Sequence, residues 1–501
     1  MKALSCVLGM VLCLTPCSLG GEAPAARPER KIALSEVVRL ALAHNLRLAI
    51  AKIDPKKADT VIVERTAIFD PTATSSLSTD KVRHQAASGF SPTLEKHSDG
   101  SAGVSKLFPL GTTVDVHFGA TRDYSNLSFP GVDILNPAYG EEWGITFVQP
   151  VLRGFGVRVN TSGIAVARNE RRIVQKQLRK VALDTVADAE KSYWLLVFTL
   201  RNHELLKRSL ARAENLLRDV QARVDAKVLG QRDPSVAQAR AEVATRREEV
   251  IVAQNNIHNA EEALKVITNL GEDPAAWDVA LIPADEPPEN IPIPSVQQAV
   301  DTALARRPDF QAAQLAVDTQ DIQLYLRNNE LLPKLNFVAG TGHTGLGNSF
   351  GGADRKLRSL DWYSWSVGVN LEYPIGNHAA RARYRRASFD RQQAVLDVRA
   401  LALQIQLEVR NAVRQVATNA ERLVAVAAAV QAEEERLRAE EIRFLEAHVG
   451  TSQDVLDAQA ALAQAESRRL QALIELNNAA ADVERLKGTL LEARNVVFEE
   501  D

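Results

Sequence analysis

Few residues in this sequence have the types and spacing that chemistry requires. The segment Gly340-Thr-Gly-His-Thr-Gly345 has the G-x-G-x-x-G spacing of a dinucleotide-binding loop, in which glycines let the backbone approach a pyrophosphate at the start of a helix. It follows a strand-like run from Leu335 to Ala339, but glycine, asparagine and serine follow it instead of a helix-forming segment. We therefore interpret these glycines as part of a loop.

The histidines and the remaining motifs do not indicate an enzyme either. His117 and His343 have no partner at the spacing of metal ligands, so we interpret both as polar residues of a sheet. The sequence contains no H-E-x-x-H motif, nucleophile elbow or phosphate-binding loop. It therefore predicts no catalytic residue, cofactor or metal site. The net charge of -3 gives no indication of a nucleic-acid partner.

The N-terminus indicates export. Lys2 precedes an apolar run from Ala3 to Leu14, and Ser18-Leu19-Gly20 places small residues at the positions that a signal peptidase requires. We predict a signal peptide over residues 1–20. The longest later apolar run, Tyr193–Leu200, is far too short to cross a bilayer and is better explained as a buried helix face.

All three cysteines, Cys6, Cys13 and Cys17, lie within this signal. The mature chain is therefore predicted to have neither disulfides nor a cysteine-ligated metal. Lipidation of Cys17 is an alternative, but Pro16 occupies a position where a small residue is needed.

The rest of the chain is a duplication. Residues 38–43 align with 300–305, and the same offset joins Pro71 to Pro333. Further on, Gly144–Pro150 matches Gly368–Pro374. The predicted organisation is a first helix–strand–helix repeat, a linker with five prolines, a second repeat and a C-terminal tail: 32–281, 282–294, 295–488 and 489–501.

Each repeat contains a very long helix. Stretches free of helix breakers predict helices over 164–229, ended by Gly230, and 377–449, ended by Gly450, each roughly 100 Å long. Helices of about half that length, 235–270 and 451–487, follow them. Two short helices are predicted to stack end-on with these returning helices: 46–69, which Pro55 should kink, and 308–332.

The long helices carry apolar residues at heptad spacing, which predicts coiled-coil-like packing. In the first copy they are Leu206, Leu210, Ala213, Leu217, Val220 and Val224. In the second copy they are Val398, Ala402, Ile405, Val409, Ala412 and Val416.

Between the prolines the period changes to two. Apolar and polar residues alternate over 113–120 and 366–371, which in an exported protein fits a membrane barrel with lipid outside and water inside. A soluble, half-buried sheet would show the same alternation. The long polar connections 124–140 and 344–361 favour the barrel. Two copies with about two strands each give four strands per chain, so closure requires several chains.

The copies differ in one respect. The first contains an insertion over residues 83–111, with a strand-like run from Gly103 to Phe108. The insertion is either an extra hairpin that widens the barrel or an elaborated outer loop.

The chain resembles the outer membrane efflux protein family, the TolC-like outer-membrane factors, from about residue 32 to 488. The motifs are the two helices ending in Ala-Leu-Ala, Gln149-Pro-Val-Leu-Arg-Gly-Phe-Gly156, and Val449-Gly-Thr-Ser-Gln-Asp-Val-Leu-Asp-Ala-Gln459. The resemblance implies an α+β membrane protein: a homotrimer whose 12-stranded transmembrane β-barrel in outer-membrane lipid continues into a long periplasmic α-helical coiled-coil barrel. It also implies an exit duct for efflux or type I secretion that docks to a periplasmic adaptor (membrane fusion) protein and an inner-membrane pump.

The resemblance also implies site residues. Family members narrow at the periplasmic tip, where acidic residues form a ring, and Asp454 and Asp457 occupy the matching positions. Their spacing places them on one helix face. Thr451-Ser-Gln-Asp454 also has the pattern of a capping box, which needs no pore. The first copy has Pro234 and Ala237 instead, so the ring belongs to the second copy.

The predicted adaptor-docking tips are Val449, Gly450, Thr451 and Ser452 in the second copy and Gly230 in the first. The tyrosine and arginine that lock the closed state in family members match Ala447 and Ser452, so that lock is not predicted. Two alternatives to a duct are a periplasmic adaptor, which carries a single hairpin, and a soluble coiled-coil scaffold.

Overall fold

The computed structural model describes residues 27–85, 88, 91–127, 131, 134–226, 234–445 and 450–498. The helices are α1 (Leu34–His44), α2 (Leu46–Ala51), α3 (Ile53–Thr66), α4 (Val157–Asn160), α5 (Ser162–Asp225), α6 (Ser235–Ile267), α7 (Val296–Arg306), α8 (Pro308–Asn329), α9 (Phe350–Ser359), α10 (His378–Leu445), α11 (Ser452–Lys487) and α12 (Leu490–Ala493). The strands are β1 (Glu29–Ile32), β2 (Thr72–Arg83), β3 (Leu94–Leu107), β4 (Thr113–Ser125), β5 (Ala138–Pro150), β6 (Ala280–Pro283), β7 (Lys334–Gly347) and β8 (Tyr363–Glu372). The predicted signal peptide lies outside the described residues.

Helices α5 and α10 dominate the molecule. They contain 64 and 68 residues, so each is about 100 Å long at the usual rise per residue. Their long breaker-free sequences predicted both. The returning helices α6 and α11 pack along them, as the two hairpins require.

The heptad packing is confirmed in part: five of the twelve predicted positions are buried, and at some others the neighbouring residue is buried instead. In α10 the buried positions include Ile405, Val409 and Val416. In α5 the stripe passes through Ala213 and Val220, but Leu216 is buried where Leu217 was expected. Helix α5 contacts several neighbours besides α6, including α8 and α11, so its buried surface is broader than one coiled-coil seam.

Pro55 breaks the first short helix, as predicted. Helix α2 ends at Ala51 and α3 starts at Ile53, which places the proline in the first turn of the new helix. There the missing backbone N–H has no helical partner to lose. The aligned position of the second copy is Val317, and α8 runs through it without interruption.

The short helices meet the returning helices end to end. The Asn45 side chain, which caps α2, donates to the carbonyl of Ile267 at the end of α6, with 2.8 Å between nitrogen and oxygen. In the second copy Gly488, just after α11, lies against the backbone of Arg306 and Arg307 at the start of α8. The left-handed conformation of Gly488 (φ +75°) ends α11 at this junction.

The main sheet has six antiparallel strands in the order β2-β3-β4-β5-β7-β8. The expectation of about four strands per chain, and hence a 12-stranded barrel, is therefore wrong. The first copy provides four strands because the insertion over 83–111 forms most of an extra hairpin. Strand β3 pairs with β2 over residues 94–105 and with β4 over residues 95–107, so the hairpin belongs to the sheet. The connection 344–361, predicted as a loop, contains the end of β7 and helix α9.

A second, parallel sheet of β1 and β6 was not predicted. It joins the start of the first repeat to the start of the linker, with Ile32 opposite Pro283. Tyr193 of α5 packs beneath it, fully buried, and donates to Asp285 with 2.9 Å between oxygens. Burial and this contact raise the pKa of Tyr193 to about 12. The buried phenol thus fixes the linker to the long helix.

The C-terminal segment packs onto the helices through Phe498. Leu490 and Leu491 of α12 are buried in a cluster with residues of α1 and α5. Arg494 donates two hydrogen bonds, of 2.6 and 2.7 Å, to Glu190, whose residue is completely buried. A buried carboxylate requires such a partner, so this segment completes the core.

Candidate functional site

The main sheet has one apolar face that no part of the described chain covers except at one end. Val116 lies opposite Ile145, and Phe118 lies opposite Trp143. The same face of the edge strand β8 carries Trp365, which is 72% exposed. Further apolar side chains on this face are Val104, Phe147, Phe337, Val367, Val369 and Leu371. Such a surface is suited to lipid.

The opposite face is polar and rich in small residues. In β4 it carries Asp115, His117 and Gly119, and in β8 it carries Ser364 and Ser366. This face is suited to contact with water. The two faces together have the pattern of a membrane-spanning barrel wall.

The glycines of the segment 340–345 lie within strand β7, so the interpretation of a loop is wrong. A side chain at Gly342 would place its Cβ 2.9 Å from the carbonyl oxygen of Trp143 on the neighbouring strand. Glycine is therefore needed for close strand packing, and no helix follows to hold a pyrophosphate. His343 stacks on the Trp143 ring, with 4.9 Å between ring centroids.

The described residues contain no group of three or more histidine, cysteine, aspartate or glutamate side chains placed to hold a metal ion. Within the same residues, no helix is both long and apolar enough to cross a membrane.

At the opposite end of the long helices, Asp454 forms the predicted capping box. Its backbone N–H donates to Thr451 Oγ1 at 3.2 Å, and its carboxylate accepts from the backbone N–H and the hydroxyl of Thr451 at 3.0 and 2.7 Å. These hydrogen bonds lower the pKa of Asp454. The carboxylate therefore stays ionised at the first turn of α11, where the helix dipole also favours a negative charge.

Asp457 lies one turn further along α11. It is exposed on the same face as Asp454 and accepts a hydrogen bond of 2.8 Å from the side chain of Gln453. Val455 and Leu456, which separate the two aspartates, are buried. The fold thus directs both carboxylates away from the core of this hairpin.

The rest of the predicted tip is partly described. Gly450 donates its backbone N–H to the carbonyl of Arg443, and Ser452 is buried with no hydrogen-bond partner for its hydroxyl among the described residues. Val449 and Gly230 lie outside the described residues, as does Ala447.

Sequence reasoning missed a charged group midway along the helices. Arg307 donates to Asp309 and to Glu408, with nitrogen–oxygen distances of 2.7 Å for both ion pairs. Burial raises the pKa of Asp309, but the hydrogen bonds from Arg307 outweigh it and leave the pKa below its ordinary value. Arg-Pro-Asp at a helix start has no distinctive pattern, and Glu408 is about a hundred residues away, so only the folded chain reveals this group.

Residues 299–489 match the profile of the family described as outer membrane efflux protein. No curated protein sequence matches the chain.

Solved structures resemble the whole fold. The outer-membrane channel OprN superposes with a TM-score of 0.67 and 19% identity, covering 91% of this chain and 90% of that chain. The CmeC outer membrane channel of Campylobacter jejuni superposes with a TM-score of 0.63 and 17% identity, covering 91% of this chain and 86% of that chain. The outer membrane protein VceC of Vibrio cholerae superposes with a TM-score of 0.63 and 17% identity, covering 93% of this chain and 97% of that chain. Residues 299–489 are thus similar to the outer membrane efflux proteins, and along its described length the chain has the α+β fold of TolC-like outer-membrane channels.

Proposed function

We propose that this protein is the outer-membrane exit duct of a tripartite efflux or type I secretion system. The observation that carries the proposal is a sheet with one exposed apolar face, continuous with helical hairpins about 100 Å long. The sheet suits lipid and the helices suit the periplasm. Transport through such a duct is passive, and an inner-membrane pump supplies the energy.

Closure of the wall requires more than one chain. The two edge strands, β2 and β8, expose every residue, and no other described strand pairs with their outer edges. Unpaired edges are not tolerated in lipid, so each β8 must pair with the β2 of a neighbouring copy. These strands run antiparallel in such a ring because each sheet has an even number of strands. A homotrimer closes with 18 strands, half as many again as the resemblance implied.

The assembly can be tested in detergent-extracted outer membranes. We expect a trimer with heat-modifiable mobility, and disulfide cross-links between copies when single cysteines are placed along β2 and β8. Because the mature chain is predicted to lack cysteine, the parent protein is a clean background. A monomer released by osmotic shock would contradict the proposal and favour a soluble scaffold.

We further propose that the tip of α11 forms the periplasmic aperture. Three copies of Asp454 and Asp457 would form a ring of six carboxylates, which attracts cations and repels itself. The turn at Gly450, Thr451 and Ser452, together with Val449 and Gly230, would receive the periplasmic adaptor. The exposed position of both aspartates on one face of α11 supports this assignment.

Asp457→Asn tests the ring without breaking the capping box. We expect weaker cation selectivity in a planar bilayer because three of the six carboxylates are neutralised. The matched control is Asp361→Asn, an exposed carboxylate at the far end of the sheet, which should leave selectivity unchanged. If Asp457→Asn keeps the parental selectivity, the ring assignment is wrong, while the duct itself stands.

A further inference from the structure

Helix α9 lies at the end of the sheet farthest from the long helices. Strand β7 starts at Lys334, next to α8, and runs away from the helical part before α9 begins. Helix α9 is therefore on the outer side of the proposed membrane, between β7 and β8.

The helix is packed against the apolar face of the sheet, near its end. Gly345 and Gly347 belong to the same face as Phe337 and His343, because residues alternate along β7. A Cβ at Gly347 would lie 2.6 Å from the backbone nitrogen of Ala353, and one at Gly345 would clash with the Ala353 carbonyl oxygen. The two glycines thus form a flat seat that lets the helix backbone touch the strand.

Side chains complete this contact. Ala353 and Leu357 of α9 are buried against the sheet. Phe350, the first residue of the helix, packs edge-on against Tyr139 of β5, with 4.6 Å between ring centroids. Helix α9 is therefore a fixed part of the lipid-side surface.

The free face of α9 is basic. Arg355, Lys356 and Arg358 are all exposed. Arg358 pairs with Asp354 at 2.8 Å, whereas Arg355 and Lys356 form no ion pair with any described residue. Two unpaired cations therefore lie on the outward side of a helix that packs on an apolar surface.

Large aromatic side chains border the helix. Trp362 and Tyr363 follow it directly, and Trp365 lies two residues further along β8 on the same face as Tyr363. All three are more than 60% exposed. Tryptophan and tyrosine concentrate at the depth of lipid headgroups, where a ring meets lipid and a polar atom meets water. Trp362, Tyr363 and Trp365 therefore mark the expected depth of the lipid headgroups, and α9 lies just beyond them.

We propose that α9 is an interfacial helix whose Arg355 and Lys356 bind the phosphate groups of anionic lipids in the outer leaflet. Exposed cations at headgroup depth attract anionic lipids, and an amphipathic helix places them in the plane of the interface. The inference rests on the proposed function, since it requires the sheet to be in a bilayer.

Tryptophan fluorescence tests the proposal at the site itself, because Trp362 and Trp365 adjoin the helix. The full-length protein is placed in vesicles in which phosphatidylcholine or phosphatidylglycerol carries a brominated chain that quenches tryptophan. We expect stronger quenching by the phosphatidylglycerol than by an equal fraction of phosphatidylcholine. R355Q/K356Q should weaken the relative binding of phosphatidylglycerol by roughly fivefold for each cation removed. R355K/K356R keeps both charges and should retain the preference.

The outcomes separate this inference from the duct. Equal quenching by the two lipids, or an R355Q/K356Q variant that matches the parent, would overturn the lipid site while leaving insertion intact. No quenching by either lipid would mean that the sheet does not enter a bilayer, and the proposed function would fail with it. Inorganic phosphate, added as a competitor, should not remove the preference, because a free anion lacks the bilayer that holds the lipid headgroup beside α9. If inorganic phosphate did remove the preference for phosphatidylglycerol, the site would be a simple anion site.

Discussion

At the scale of single residues, the structure distinguishes charges that hold the fold from charges that face outward. Arg307 and Glu190 belong to the first kind, because each is buried and bonded to an opposite charge from a distant part of the chain. Asp457 belongs to the second kind, since it is exposed and, within the described part of the chain, accepts its hydrogen bond from a side chain of its own helix. A buried charge without its partner destabilises a protein far more than an exposed one does.

We therefore expect Arg307→Met to destabilise the protein by roughly 2–3 kcal/mol. This loss of stability is smaller than that expected for a fully buried ion pair, because Asp309 and Glu408 are partly exposed and solvent screens their charges. The loss should appear as a lower midpoint of thermal unfolding. The control is Arg414→Met, an exposed arginine on α10, which should change the midpoint little. Equal effects of the two variants would show that the Arg307 group is not a stabilising one.

The same group predicts a dependence on pH. The pKa of Asp309 is lowered in the folded protein, so its ion pair is fully stabilising above the ordinary aspartate pKa of 3.8. The contribution falls as pH drops below that value and through the folded-state pKa. The difference in unfolding midpoint between the parent and Arg307→Met should therefore shrink on acidification below about pH 4. A difference that stays constant or grows there would contradict this assignment.

At the scale of elements, close strand packing explains the glycines that first resembled a nucleotide-binding loop. Gly342 faces the backbone of β5, where an added Cβ would collide with the Trp143 carbonyl oxygen. Gly368 of the edge strand β8 has nothing within 4 Å of its Cβ position. The two positions are a matched pair in the same sheet.

We expect Gly342→Val to destabilise the sheet by roughly 1–3 kcal/mol, because backbone must shift to admit the side chain. Gly368→Val, which adds the same atoms in open space, should be nearly neutral in the isolated chain. Thermal unfolding of the dissociated chain in detergent measures both, because the outer edge of β8 is free only there. If the two variants behaved alike, the steric argument would fail.

At the scale of the whole molecule, the additional hairpin of β2 and β3 would enlarge the proposed trimer. Each chain contributes six strands instead of the four that the duplication indicated, and barrel diameter increases roughly in proportion to strand number. In the proposed duct, a wider wall would leave more room for water and cargo at the exit. In the proposed duct, the selective constriction would remain at the tip of α11, at the other end of the long helices.

Deletion of residues 72–110 tests whether the β2–β3 hairpin is part of the barrel wall. It removes β2 and β3 and leaves β4, β5, β7 and β8 as one sheet, because these four pair with each other without the hairpin. We expect a trimer whose barrel is about one third narrower in cryo-electron microscopy. A deletion trimer with the parental barrel width would place the hairpin outside the wall.

Much of the fold follows from local sequence. Breaker-free stretches predicted α5 and α10, Pro55 predicted the break before α3, and alternation predicted β4 and β8, because these features depend on backbone geometry and side-chain period alone. The profile match at 299–489 relates that part of the chain to the outer membrane efflux proteins. Even the capping box at Thr451 and Asp454 could be read from four consecutive residues.

Only tertiary structure decided which distant segments meet. Whether the insertion joined the sheet, and where the glycines of 340–345 lay, depended on strand pairing between residues far apart in sequence. The partnership of Arg307 with Glu408, the seat of α9 on Gly345 and Gly347, and the anchoring of the C-terminal segment by Glu190 arise in the same way. The physical reason is that burial and pairing depend on distances in space, and the linear sequence does not specify these distances.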